Sequence, residues 1–180
     1  MEEKFQKDFW NREARANSTR KKSLDNLPYI TIPFKALPMD TMKENEKIAE
    51  IHTRLQDLSS QKIVNFTGYT NTDLKLEYGT ANITCLSEYD QNYTLLARTL
   101  QEWAEYLYAA GFTDDARTVL EFAITTRTDV SRSYYLLADI YDDTNEPGKK
   151  AALLDTAQSL KSAMKNAIVR TLQQSGPYSG

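Results

Sequence analysis

Residues 97–130, ARTLQEWAEYLYAAGFTDDARTVLEFAITTRTDV, and residues 131–164, SRSYYLLADIYDDTNEPGKKAALLDTAQSLKSAM, carry one pattern twice at an offset of 34 residues. Leu100 matches Tyr134, Trp103 matches Leu137, Ala104 matches Ala138, Leu107 matches Tyr141, Leu120 matches Leu154 and Ala123 matches Ala157. Bulky residues recur where a first helix packs on its partner, and alanine recurs where two helix backbones come close, as stacked helical hairpins require. Gly111 stands at the turn of the first copy. Asn145 replaces it in the second, and both residue types tolerate the left-handed backbone that closes a helix. Pro147 suits the first turn of the helix that follows. Lys150 stands where the pattern asks for a counterpart of Ala116, and Ala151 could serve after a shift of one residue.

Working outward, residues 41–60 read as a helix with Ile48, Ile51, Leu55 and Leu58 on one stripe, capped by Asp40 or Thr41 and with Glu44 in its first turn. Residues 62–72 read as a loop anchored by Ile63, Val64 and Phe66. A capping signal at Thr72 or Asp73 opens a helix over 73–90 that contains Leu74, Tyr78, Leu86 and Tyr89, with Gly79 as a blemish inside it. Upstream, residues 27–39 alternate apolar and β-branched residues between Pro28, Pro33 and Pro38, so they predict an extended strap lying against the helices. Residues 1–26 read as a charged, basic N-terminal helix or linker, helical to about Lys22 and broken near Asn17, Ser18 and Thr19, with Phe5, Phe9 and Trp10 as its apolar cluster. Residues 40–174 form the helical domain, and 175–180 a flexible tail.

The paired stretches resemble the tetratricopeptide repeat (TPR), on the strength of Trp103-Ala104, Leu107, Gly111, Ala116, Leu120 and Ala123 in the first copy and Leu137-Ala138 and Tyr141 in the second. The resemblance covers residues 97–164. It implies an all-α fold, a short TPR-like helical-hairpin stack, with the helices at 41–60, 73–90 and the final helix through Met164, Ile168 and Leu172 acting as caps. No third copy follows from the same offset, because Ala116 would answer to Asn82 and Gly111 to Glu77. The wider layout is similar to a group of uncharacterised bacterial membrane-anchored TPR-like proteins, which implies an anchor upstream of Met1.

Composition narrows the functional classes. The net charge of −3 argues against a nucleic-acid partner, yet residues 1–24 hold seven basic and four acidic side chains and leave −6 for the rest. Weak contact of that segment with a membrane surface is therefore expected. The chain has no signal-peptide pattern and one cysteine, so the expected compartment is the cytoplasm, tethered to the inner face of the membrane if an anchor precedes. Cys85 reads as a small buried thiol, and His52, one position beside the apolar stripe, as a boundary or solvent-facing residue. A Cys-His pair has no local signature, the carboxylates Asp114, Asp115, Asp139, Asp142, Asp143 and Glu146 lack calcium-loop spacing and its glycine, and no phosphate loop or nucleophile elbow occurs. No catalytic residue, metal site or cofactor is expected. Three glycosylation sequons begin at Asn65, Asn82 and Asn92, and chance explains them.

In helical repeats the first helices line the concave surface, so residues beside the core stripe face outward there. The repeat alignment places Arg98, Gln101, Glu105 and Tyr108 of the first unit and Arg132, Tyr135, Asp139 and Asp142 of the second on that surface. The expected function is a non-catalytic protein-protein interaction or scaffold module that binds a peptide or partner helix in this groove. The alternative is a structural spacer or oligomerisation domain whose groove is filled by the strap.

Overall fold

A computed structural model describes residues 2–18 and 20–174; the tail expected at 175–180 lies outside them. Among the described residues there are eight α-helices and no strand: α1 (Glu2–Ser18), α2 (Glu46–Ser59), α3 (Asn71–Tyr78), α4 (Ile83–Ala109), α5 (Thr113–Thr125), α6 (Ser131–Asp143), α7 (Pro147–Gln158) and α8 (Lys165–Gln174). The expected all-α fold is what the chain adopts.

The offset of 34 residues reappears in the helix boundaries. Helices α4 and α6 end at Ala109 and Asp143, and α5 and α7 begin at Thr113 and Pro147. Between them Gly111 has φ 90° and Asn145 φ 53°. The Phe112 amide donates to the Leu107 carbonyl at 2.9 Å, and the Glu146 amide donates to the Tyr141 carbonyl at 2.8 Å. Both are the six-to-one bond that lets a helix stop at a left-handed residue and turn back. These turns fold α5 onto α4 and α7 onto α6. Ala104, Ala123 and Ala157 are 0% exposed and Ala138 1%, enclosed as a close helix contact requires. Ala151 is exposed and takes no part. Lys150 instead lays its half-buried stem at the position and donates to Asp142 Oδ2 at 2.8 Å, a long side chain covering apolar surface while its head stays polar.

The core runs through α2, α4, α5, α6, α7 and α8, centred on Trp103, Leu100, Leu107, Leu120, Tyr134 and Leu137. Ile168 and Leu172 of α8 close it against α6 and α7. A smaller cluster of Leu27, Val64, Phe66, Leu74 and Leu86 lies under α3. Leu27, Ile32 and Leu37 bury the strap, which is held by the Ile30 amide on the Ile63 carbonyl at 2.9 Å and by the Thr41 hydroxyl on Asp115 Oδ2 at 2.6 Å.

Several boundaries differ from expectation. Helix α2 starts at Glu46, because Asn45 caps it through Oδ1 to the amides of Lys47 and Ile48, while Thr41 is spent on Asp115. Thr70 rather than Thr72 or Asp73 opens α3, in a reciprocal capping box with Asp73. Gly79, at φ 91° and ψ 149°, ends that helix instead of interrupting a longer one, and α4 then runs unbroken from Ile83 through the position where a boundary was expected. A Cβ on Gly79 would lie 2.6 Å from the Arg20 carbonyl oxygen. The incoming chain thus packs on bare backbone, and the Lys22 amide donates to the Tyr78 carbonyl at 3.0 Å.

Helix α1 ends at Ser18, within the stretch where the break was expected, and it does not resume over 20–22, so the helix stops short of Lys22. It docks on α3 largely through polar groups, with Arg12 on Asp73, Lys75 on Asn17 and the buried Ala16 between them. Phe5, Phe9 and Trp10 remain exposed. The three sequon asparagines each turn the amide inward: Asn65 donates to the carbonyls of Thr126 and Arg127, Asn82 to those of Lys22 and Tyr78, and Asn92 to that of Lys62. No helix among the described residues is long and apolar enough to cross a membrane.

Candidate functional site

Helices α4 and α6 occupy the same place in successive hairpins, and a groove of about 580 Å³ runs between them. Its walls are Glu105 and Tyr108 from α4 and Arg132, Tyr135, Leu136 and Asp139 from α6. Five of the eight residues expected on the concave surface therefore meet here. Their spacing explains why: Glu105 and Tyr108 lie three residues apart on one helix face, as do Arg132 and Tyr135, and Asp139 follows one turn later.

The other three do not line the groove. Arg98 is exposed elsewhere on α4. Gln101, expected at the surface, is 6% exposed: its Oε1 accepts from the buried Ser133 hydroxyl at 2.5 Å, so the pair joins α4 to α6 beneath the groove, and its Nε2 has no partner. Asp142 turns toward α7, where it is held by Lys150. Leu136 was not anticipated, because an apolar residue flanking Leu137 reads as core.

Electrostatically the groove is mixed. Arg132 forms an ion pair with Glu105, and with 74% of its side chain exposed the pair is worth at most about 1 kcal/mol. It is thus open to exchange for a charged partner. Partial desolvation first, then the carboxylates of Asp142 and Asp143, push the Asp139 pKa up, against the opposing pull of Lys150. Tyr108 and Tyr135 supply amphipathic rings with few rotamers to freeze, a composition common at binding hot spots.

The groove is lined by neither the one histidine nor the one cysteine of the chain. His52 is 8% exposed rather than at a boundary: it meets the Trp103 ring edge-on at 5.3 Å, and burial lowers its pKa. Neither its Nε2 nor the Trp103 Nε1 has a hydrogen-bond partner. Cys85, expected inside, is exposed on the first turn of α4, next to the buried Leu86. Among the described residues no three His, Cys, Asp or Glu side chains converge as a metal cluster. Comparison with family models, with curated proteins and with solved structures finds no match to this chain.

Proposed function

We propose that the chain is a TPR-like, non-catalytic interaction module that holds an extended peptide or a partner helix in the α4–α6 groove. The observation that supports this reading most is the convergence of Glu105, Tyr108, Arg132, Tyr135 and Asp139 on one groove between repeat-equivalent helices. The strap does not line that groove, so the groove is accessible to a second molecule. In this reading the partner is a protein rather than a nucleic acid, the module works in the cytoplasm, and the basic N-terminal residues touch a nearby membrane surface only weakly. Burial of Leu27, Ile32 and Leu37 favours a second reading, a structural spacer or oligomerisation unit in which the strap simply completes the core.

Site-specific photocrosslinking separates the two. A photoreactive residue at Tyr108 or Tyr135 is expected to capture one defined partner in the native host, and the same residue at exposed Leu95 is not. Equal capture from all three positions, or none from the groove, would sink the interaction reading.

A further inference from the structure

We propose a second binding site, for a small organic oxyanion, at the loop end of the bundle. A cavity of about 530 Å³ lies where the strap, the 60–70 loop, the α5–α6 connection and the α7–α8 connection meet. It shares no lining residue with the α4–α6 groove. Two cations line it, Arg127 and Lys161, and no Asp or Glu does. These two residues are one repeat length apart, so the same position after the second helix of each hairpin supplies a positive charge. Stacking the hairpins brings both charges to one edge.

Each cation is held in place by its surroundings without being neutralised. Arg127 donates from Nη1 to the Ser159 hydroxyl at 3.0 Å, and Lys161 Nζ lies 5.8 Å from the centre of the Tyr69 ring. Among the described residues neither makes an ion pair; Asp129, nearby in sequence, is bonded to Ser162 and does not line the cavity. The α5–α6 connection is pinned by the Asn65 amide on the carbonyls of Thr126 and Arg127 and by the Tyr93 hydroxyl on that of Thr126. The 60–70 loop is pinned to Lys161, since a Cβ on Gly68 would lie 2.7 Å from the Lys161 Cβ.

Arg127 also has φ 62°, a left-handed conformation usually left to glycine or asparagine at the end of a helix. A long cationic side chain placed there accepts backbone strain, and strain at a cavity points to use of the side chain. A guanidinium fork beside an ammonium matches a carboxylate or a phosphate monoester, and Pro28, Ile30 and Leu160 provide an apolar wall for the body that carries it.

The test is an amide-resolved NMR titration of the full chain with benzoate, phenyl phosphate and the neutral benzamide. Benzoate or phenyl phosphate should give saturable shifts at Tyr69, Arg127 and Lys161, with benzamide at least about tenfold weaker, because the charge-assisted bonds are lost. Arg127→Gly relaxes the backbone, so it should unfold no earlier than the parent while losing about tenfold in affinity for the anions. Lys161→Met keeps the apolar stem and should weaken them likewise. Preference for the phosphate or the carboxylate tells which group the natural ligand bears. Absence of saturable shifts, equal binding of benzamide, or undiminished anion binding by Arg127→Gly overturns the proposal.

Discussion

Replacing three glycines in turn by alanine separates backbone strain from steric contact. Gly79 combines both: its φ of 91° and ψ of 149° belong to glycine almost alone, and an added Cβ would meet the Arg20 carbonyl oxygen at 2.6 Å and the Lys21 Cα at 2.7 Å. The conformation costs an L residue about 1–3 kcal/mol. The contacts are backbone atoms that no rotamer can relieve, so residues 20–22 must lift and the Lys22 to Tyr78 hydrogen bond goes with them, about 1 kcal/mol more. Gly79→Ala should therefore lose roughly 3 kcal/mol, a fall in Tm of roughly 6–12 °C for a chain of this size. Gly111 has φ 90° with nothing within 4 Å of the added carbon, so Gly111→Ala should show strain alone, about 1 kcal/mol. Gly148 lies in α7 with ordinary φ and open space, and Gly148→Ala should be neutral or gain about 0.5 kcal/mol. Thermal unfolding followed by far-ultraviolet circular dichroism reads all three. If Gly79→Ala and Gly111→Ala melt together, the close approach of residues 20–21 to Gly79 is wrong.

Ala123→Leu and Ala138→Leu each add bulk at a close helix contact and should cost about 1–3 kcal/mol in urea unfolding; an unchanged midpoint for both would remove the packing argument for the hairpin stack. Burial lowers the His52 pKa in the folded chain, so between the folded and unfolded values the unfolded state binds more protons. Stability owed to His52 is complete above about pH 6.5 and declines as pH falls below it; subtracting the urea midpoints of His52→Gln from those of the parent should isolate that slope, and parallel curves would contradict it. Exposed Cys85 should react with a thiol reagent in native buffer, and protection lifted only by denaturant would place it in the core.

The hairpins were legible because their determinants are local and repeated. Gly111 and Asn145 adopt the conformation that their residue types favour, and the paired alanines announce close contacts before any partner helix is identified. What escaped depends on distant chain. Gly79 reads as a flaw in a helix until Arg20 and Lys21 are seen against it. His52 sits at the edge of an apolar stripe, and only the Trp103 ring arriving from α4 buries it. For Cys85 the residue type pointed inward while the helix face pointed outward, and the face decided. The groove was half visible: the alignment named five of its six walls, but Gln101, one turn before Glu105, lies under the surface on Ser133, and Asp142, three residues past Asp139, turns to Lys150.

The strap has a consequence for how the protein is made. Its anchors lie downstream, at Ile63 and at Asp115, the latter 74 residues beyond Thr41. During synthesis Ile32 and Leu37 leave the ribosome long before α4 to α8 exist to complete the core they join, and Leu27 leaves before the cluster under α3 can form. A plain row of hairpins could set pair by pair as each emerges, each touching only its neighbour. Here the end of the strap must wait for its anchor at Asp115, so a nascent chain stopped before residue 113 should stay sensitive to protease around residues 37–45, and protection there should arrive together with α5.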